Sequence, residues 1–546
     1  MKNLFFALLL FFIIFTGYPL VFVFWKSADV SIHLFPVVWS NISVRQSFIN
    51  SIFLAISVTI ATSIIGFPLA YVMSFVKIPM KNFWRKAFLL PLVAPPFVSA
   101  IAMRQILSRF GPVNLVLMKL GITTTPVDFL GTGLTGIFIL QVLHLYPIIY
   151  LNILSSLENI EGSCIEAAEN LGASVFQNFR KIIFPLSLPG YFAGAFLVLI
   201  WSLTDLGTPI VFDYPNLIPV LIFQSLTDIY SNPAGYVLII FICILAMILF
   251  FFTRYLLGKM SFVGIARYKT TMDPLHVPAS VSIAISVFLG FLVFVSLLPH
   301  ISVILNSISQ KWFFTILPDR WTIQYYRDVF LHPIARISLI NSTVYCIITG
   351  LLIMIISVAT GLILSRSQIK GKNILESFVI LPMAVPGIVF AFSYVLAFSE
   401  TIFDPRNFPM FLLIVAYVLR RLPFAVRAVV ANFQQIDISC EEAAFNLGAS
   451  RWKTFVSITM PMLRNGIIAG FIFSFAFSMM EVSSSLILVN KQQYFPIAKG
   501  IYQLAGRITD GPYIASALGV LGMIISFAAL MIIQRISGKR DISFSI

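Results

Sequence analysis

The chain has 546 residues, 59% hydrophobic and only 10% charged, against about 25% charged residues in soluble domains, so a water-soluble reading is excluded. A net charge of +15 would suit nucleic-acid binding if the cations shared one face. They sit instead in short loops between apolar stretches about 20 residues long, the length that crosses about 30 Å of hydrocarbon, and membrane orientation accounts for them.

In chain order, Met1, Lys2 and Asn3 precede an apolar stretch from Leu4 to Trp25. It is too long for the apolar part of a secretory signal and lacks a small-residue cleavage site, so it is expected to remain as a first span. The hydropathy pattern places spans near 4–25, 51–75, 88–108, 134–156, 190–212, 235–257, 279–305, 341–364, 376–398, 409–431, 467–488 and 514–535. The expected fold class is an all-α integral membrane protein with about twelve transmembrane helices. With a cytoplasmic N-terminus, loops after even-numbered spans are cytoplasmic, and these are the basic ones. They hold Lys77, Lys81, Arg85 and Lys86, then Arg254, Lys259, Arg267 and Lys269, then Arg366, Lys370 and Lys372, and in the tail Arg535, Lys539 and Arg540. The opposite loop 306–340 is mixed, with Asp319 and Asp328. Both termini are therefore expected in the cytoplasm of a cell in whose inner membrane the chain lies.

Residues 157–190 align with 433–466 at a constant offset of 276, with identity at 15 of 34 positions and no gap. The shared residues include Ser163 with Ser439, Cys164 with Cys440, Glu166 with Glu442, Asn170 with Asn446, Gly172 with Gly448, and Pro185 with Pro461. A weaker match at offset 291 pairs Asn50-Ser51 with Asn341-Ser342, Leu90-Pro91 with Leu381-Pro382, and Pro95 with Pro386. Two homologous halves follow, 1–257 and 279–546, joined by a cytoplasmic linker 258–278. Six spans in each make them parallel repeats.

Both copies of the strong repeat begin Ser-Cys-X-Glu, which predicts a capping box in which Ser163 and Ser439 cap a short helix and Glu166 and Glu442 reach back. Gly172 and Gly448 suit the left-handed position that ends it. Ser174 is expected to open a second short helix that runs to Pro185, with Gly190 leading into the next span.

The run Glu166-Ala167-Ala168-Glu169-Asn170-Leu171-Gly172-Ala173-Ser174, followed by Phe179, Ile182, Pro185, Pro189 and Gly190, resembles the EAA loop of ABC importer permeases, and the second copy matches it. The resemblance implies a coupling helix that docks on a cytoplasmic ATPase, a role carried onto Glu166, Ala167, Gly172, Glu442, Ala443 and Gly448. The second copy departs from the pattern at Arg464 and Asn465, where the first has Pro189. No Gly-X-X-X-X-Gly-Lys-Ser/Thr phosphate loop occurs, so ATP and Mg are expected on two copies of a separate ATPase subunit and the chain itself is not expected to be an enzyme or to bind a cofactor. An external substrate-binding protein and membrane lipid complete the implied partners, with no nucleic acid.

Asp205 and Glu481 lie at the same offset of 276, each about 22 Å of helix beyond its cytoplasmic entry. Ser202 and Ser478 precede them on the same face. A carboxylate facing lipid costs about 2.5–3.5 kcal/mol, so each is expected to face the bundle interior or water. Two readings stay open: the acids line a translocation path for a cationic cargo, making transient metal contacts at most, or they accept hydrogen bonds from neighbouring helices where Gly207 and Pro209 break the span. The segments Thr204-Asp205-Leu206-Gly207-Thr208-Pro209 and Met480-Glu481-Val482-Ser483-Ser484-Ser485-Leu486 resemble ferric-iron-type permeases, often fused in this way. Related fused permeases handle thiamine, polyamines or phosphonates. A proton-coupled secondary transporter with the acids as carriers is the rival from another class. His33, His144, His276, His300 and His332 are scattered without metal-site spacing, and Cys164, Cys243, Cys346 and Cys440 without close pairing, so neither set is expected to hold a metal.

Overall fold

The computed structural model describes residues 1–92, 96–131, 133–226, 234–259, 275, 277–507 and 509–536. Pro95, Arg267, Lys269, His276, Lys539, Arg540 and most of the expected linker 258–278 lie outside the described residues. Among the described residues the chain is helical, with no strand beyond two isolated bridges, Val76 with Leu275 and Ser309 with Trp321.

From the N-terminus, α1 (Lys2–Phe12) passes through a π turn, Ile13–Gly17, into α2 (Tyr18–Ser40). The long α3 (Ile42–Phe75) leads to α4 (Lys81–Ala87), α5 (Pro96–Ile106) and α6 (Pro112–Lys119). Next come α7 (Leu134–Glu158), α8 (Gly162–Asn170), α9 (Val175–Asn178) and α10 (Phe184–Thr204). Two short helices, α11 (Gly207–Val211) and α12 (Ile218–Ser225), precede α13 (Ala234–Lys259). The second half repeats the order from α14 (Ala279–Ser307) and α15 (Gln324–Leu331) through α16 (Pro333–Arg366), α17 (Lys372–Ala384), α18 (Gly387–Phe398) and α19 (Pro409–Gln435). It closes with α20 (Ile438–Asn446), α21 (Arg451–Thr454), α22 (Met460–Met479), α23 (Ser483–Leu488), α24 (Ile497–Ala505) and α25 (Gly511–Ile536).

Among the described residues nine helical segments are long and apolar enough to cross a membrane, or eleven with two bent pairs, and Ala234–Leu249 is a shorter apolar helix. Each of the twelve expected segments is thus an apolar helix, but the spans expected at 88–108 and 376–398 are not straight. Lys81–Leu92 and Phe97–Ile106 meet at 92°, and Lys372–Ala384 and Gly387–Phe398 at 109°. The second bend has a local cause. Val385 precedes Pro386 and is held extended at φ −97°, ψ 125°, which stops α17, and Pro386 then starts α18.

Prolines elsewhere do not end helices. Pro185 was expected to close the helix opened by Ser174, yet the helix continues from α9 through a π turn, Phe179–Ile183, into α10. The same occurs at Phe455–Thr459 before Pro461 and at Ile13–Gly17 before Pro19. A proline cannot donate to the carbonyl four residues back, and a slip to five-residue bonding just before it keeps the helix continuous. The proline still leaves the carbonyl four residues before it without a donor, and for Pro19 that carbonyl, Phe15 O, accepts the Tyr394 hydroxyl at 2.7 Å.

The described residues divide into two compact units, one of Met1–Val38, Ile222–Cys243 and the chain from Ile323 onward, the other of Trp39–Leu221 and Ile244–Thr322. This partition differs from the sequence repeat, because each unit includes the first span of the other half. In the first unit, Tyr18 donates to Ala397 O at 3.2 Å and Phe15 packs against Phe398, Phe403 and Phe411. In the second, α14 lies against α5 and α7, where Tyr146 donates to Ser296 Oγ at 3.4 Å. Within each unit the spans on either side of the repeated loop approach closely at a glycine. A β-carbon on Gly190 would stand 2.3 Å from Asn152 O, and one on Gly466 1.9 Å from the Asn432 amide. Two equivalent lysines close the long helices: Lys81 donates to Ser74 O and Val76 O at 3.3 and 3.2 Å after α3, and Lys372 to Leu364 O and Ser367 O at 3.2 and 3.4 Å after α16.

The loop between α18 and α19 is organised by Asp404, whose side chain is only 4% exposed. It accepts the backbone N–H of Glu400 at 2.9 Å and of Arg406 at 2.8 Å, together with the Arg406 guanidinium. The guanidinium first, and then the backbone donors, hold the Asp404 carboxyl down to about 2. Its folded value is below the unfolded one near 3.9, so its stabilisation is complete above that value and is lost as pH falls from about 4 to about 2. Asp404→Asn is expected to lower stability by about 1–2 kcal/mol at pH 7 and to remove that part of the acid dependence, measured by thermal unfolding in detergent at pH 7 and pH 3.

Candidate functional site

The two repeated loops have one construction. In the second, Asp437 caps α20 by accepting Ser439 N–H at 3.0 Å; in the first, Glu161 holds the cap position without a side-chain bond. The capping boxes expected at Ser163 and Ser439 are therefore absent, because each helix starts before its serine, leaving Ser163, Ser439 and the glutamates Glu166 and Glu442 inside it. Both glutamates, with Ala167 and Ala443, face solvent. A capping box does occur one helix later, where Ser174 and Gln177 exchange bonds of 2.9 and 3.3 Å. Ser450 caps α21 in the same place by accepting Lys453 N–H at 3.2 Å.

Both helices end as the glycines predict. Gly172 and Gly448 have φ of +84° and +83°, with nothing within 4 Å of an added β-carbon, so conformation alone requires glycine. Gly172 N–H bonds to Glu169 O and Ala173 N–H to Ala168 O, with Gly448 to Phe445 and Ala449 to Ala444 repeating the pair at 2.9–3.0 Å. This turn leaves Leu171 90% and Leu447 88% exposed, beside exposed Phe176 and Trp452 at equivalent positions. The apolar tips were not read from sequence, where a leucine in a helix end suggests core.

The loops are braced differently. In the second, Arg366 at the end of α16 contacts Glu441 at 3.2 Å and donates to Ile436 O at 2.9 Å, while Thr459 donates to Glu441 at 3.1 Å. Buried Ile165 stands at the position equivalent to Glu441. There the nearby ion pair is Arg85 with Glu158 at 2.7 Å.

The acids mark the ends of α10 and α22. Asp205 is extended and stops α10. Its Oδ1 accepts the N–H groups of Gly207 and Thr208 at 3.1 and 3.3 Å, and its Oδ2 accepts Gln141 at 3.1 Å. Ser202 reaches the acid only through Gln141, to which it donates at 2.6 Å. Glu481 is 6% exposed and accepts the N–H groups of Ser484 and Ser485 at 3.0 and 3.3 Å, besides pairing with the Arg420 guanidinium. Tyr417, equivalent by offset to Gln141, bonds Ser485 Oγ at 2.7 Å. Ser478 is buried with no hydrogen-bond partner for its hydroxyl among the described residues. Each carboxylate thus caps a short helix, α11 or α23, from the residue before its N-cap. Among the described residues no group of three or more His, Cys, Asp or Glu side chains could hold a metal ion.

The Asn-Ser pairs of the weaker repeat secure the far side of the same segments. Asn50 donates to Tyr214 Oη and Asn216 O at 2.7 and 3.2 Å, and Ser51 Oγ accepts Ile218 N–H, the first of α12, at 2.9 Å. Asn341 donates to Gln493 O and Phe495 O at 2.9 and 3.2 Å, and Ser342 Oγ accepts Ile497 N–H, the first of α24, at 2.7 Å. The offset-291 match was the signal for these clamps, but their target segments share too little sequence to reveal the contact.

Comparison with known proteins follows the repeat. The chain is 29% identical over 522 residues to a ferric transport system permease protein of Actinobacillus pleuropneumoniae, covering 90% of this chain and 71% of that one. It is 30% identical over 460 residues, 81% of this chain and 70% of the relative, to a provisionally named ferric transport system permease protein of Haemophilus influenzae. A molybdate/tungstate transport system permease protein of Thermococcus kodakarensis is 26% identical over 214 residues, 39% of this chain but 82% of its own length. The profile described as "Binding-protein-dependent transport system inner membrane component" matches twice, over residues 63–262 and 353–540. The chain therefore belongs to that family, as a multi-pass inner-membrane ABC importer permease that fuses two copies of the family's unit.

Proposed function

We propose that this permease imports ferric iron, taking it from an external binding protein and docking on two copies of a cytoplasmic ABC ATPase through its two repeated loops. The ferric names of two relatives that align along most of the chain support the cargo. The coupling role rests on one observation: two exposed, rigidly terminated helices with matching apolar tips, Leu171 and Leu447, that no described residue covers. On this reading Glu166, Ala167, Gly172, Glu442, Ala443 and Gly448 form the ATPase contact, and both termini are cytoplasmic, the side on which the basic loops are retained.

The acids take a different part from the one a cationic path would give them. Both oxygens of Asp205 already accept protein donors, and the charge of Glu481 is met by Arg420. We propose that Asp205 and Glu481, with Ser202 and Ser478 nearby, shape the translocation path by fixing the helix breaks and do not ligate cargo. A proton-carrying role would leave the exposed loops without a purpose.

Three outcomes test this reading. The cognate binding protein, purified and titrated with Fe³⁺, is expected to bind it, and affinity for thiamine, a polyamine, a phosphonate or molybdate without Fe³⁺ affinity removes the iron assignment. Gly172→Pro, which cannot adopt φ +84°, and Glu442→Arg are expected to insert normally but cut ATP-driven uptake by 10-fold or more, roughly the effect of losing about 1.4 kcal/mol of coupling; normal uptake in both sinks the docking assignment. Asp205→Asn keeps cap acceptors while losing charge and is expected to retain most uptake, whereas Glu481→Gln strands Arg420 and should cost about 3–5 kcal/mol of stability. Abolished uptake with unchanged stability in Asp205→Asn would restore the charged-path reading.

A further inference from the structure

Building on the coupling role proposed above, we infer that α16 is a transmission rod that ties the second coupling loop to the segment ending at α24, and that Arg366, Asn341 and Ser342 are its positioning residues. All three belong to one compact unit. The rod is a single helix of 34 residues whose only proline is at its first position. Near its start, Asn341 and Ser342 hold Gln493, Phe495 and Ile497. Its last residue, Arg366, holds Glu441 and Ile436 O, with its guanidinium over the Phe433 ring at 5.6 Å. Glu441 in turn accepts Thr459 from the π turn that enters α22, so one carboxylate joins the coupling helix, the rod and the next span.

These ties differ from ordinary surface pairs. The Arg366 and Glu441 side chains are 13% and 15% exposed, where solvent screening is weak, and Ser342 supplies the first N–H of α24 with a buried acceptor. Ser342 and Arg366 lie about 36 Å apart along the axis at 1.5 Å per residue. Between them the rod is seated closely against α22 and α19, since a β-carbon on Gly350 would meet Phe471 at 2.6 Å and one on Gly361 would meet Val429 at 2.7 Å. A rotation of the coupling helix that pulls Glu441 therefore moves a stiff helix whose other end grips the α23–α24 segment.

The first half lacks this device at one end. Its helix α3 has the same length and the same Asn-Ser clamp, but Pro68 lies inside it. Phe75 occupies the position equivalent to Arg366, and Ile165 that of Glu441. Among the described residues the first half has Arg85 instead, which joins Met73 O of α3 to Glu158 at the end of α7, so its tie reaches the span before the loop and not the coupling helix itself, and the stroke of the two ATPase subunits is transmitted unequally.

The test is a double-mutant cycle on coupling, with the permease and its ATPase in proteoliposomes and ⁵⁵Fe³⁺-loaded binding protein outside, read as uptake per ATP hydrolysed. Arg366→Met and the pair Asn341→Ala/Ser342→Ala are each expected to lower that ratio about 3- to 10-fold while ATP hydrolysis continues. Combined, they should lower it no further than the worse one, because a rod cut at either end transmits nothing. Their thermal-stability losses should add, as for sites this far apart. Arg366→Lys, which keeps the charge but not the fork to Ile436 O, should fall between wild type and Arg366→Met and stands in if Arg366→Met does not assemble. Losses in ratio that multiply, or an unchanged ratio in the single variants, overturn the rod. Absence of ATP-driven ⁵⁵Fe³⁺ uptake in the wild-type protein would instead remove the iron cargo, and the same cycle is then read with molybdate as the carried ion, with the same outcomes for and against the rod.

Discussion

Hydrocarbon offers no hydrogen-bond partner to a free backbone group, so wherever a helix is interrupted among these spans a side chain has to supply the missing bond. That constraint accounts for the placement of several polar residues at the helix breaks. Asp205 and Glu481 accept the N–H groups that open α11 and α23, Ser51 and Ser342 accept those that open α12 and α24, and Tyr394 donates to the carbonyl released before Pro19. None of these groups is decorative, and none needs cargo to explain why it is tolerated. The interrupted segments remain where they are because they are held at both ends.

The halves meet the constraint with different chemistry. Asp205 is satisfied by a neutral amide, Gln141, whereas Glu481 is satisfied by Arg420, and the position equivalent to Arg420 in the first half is His144, which bonds Pro91 O at 2.8 Å. An ion pair in a low-dielectric setting is costly to break because removal of either partner leaves an unpaired charge. The second half therefore carries a paired charge at this level, and the Arg366–Glu441 contact places a second pair on its coupling helix, where the first half has Arg85–Glu158 on the span before the loop. Two separate but identical permease chains could not divide labour in this way; fusion lets each copy carry its own substitutions.

Much of this organisation was legible in the sequence, because local patterns carry it. Apolar length located all twelve segments, an ungapped repeat located both loops, and the requirement for positive φ identified Gly172 and Gly448. What was not legible depends on distant partners or on a choice between near-equal local solutions. Ser163 and Ser439 satisfy the pattern of a cap, but both helices start two residues earlier, at Asp437 with a charged acceptor in the second loop and at Glu161 without a side-chain bond in the first. A proline after a short helix reads as a stop, yet a single five-residue bond lets the helix pass, and Pro185 and Pro461 do this identically. The Arg420–Glu481 and Ser342–Ile497 contacts join residues 61 and 155 apart, beyond any window in which periodicity is informative.

The exchange of first spans follows the same logic. Tyr18 and Phe15 from the N-terminal span are bonded to Ala397 O and Tyr394, and the carbonyl of Phe15 is available because Pro19, four residues on, has no N–H to give it. A helix without that proline would spend this carbonyl on its own backbone, and its attachment would rest more on dispersion contacts, which distinguish poorly between protein and lipid tails. One proline thus converts an undirected contact into a specified one. The residue that a sequence reader takes for a helix breaker is, in this bundle, what fixes where the helix binds.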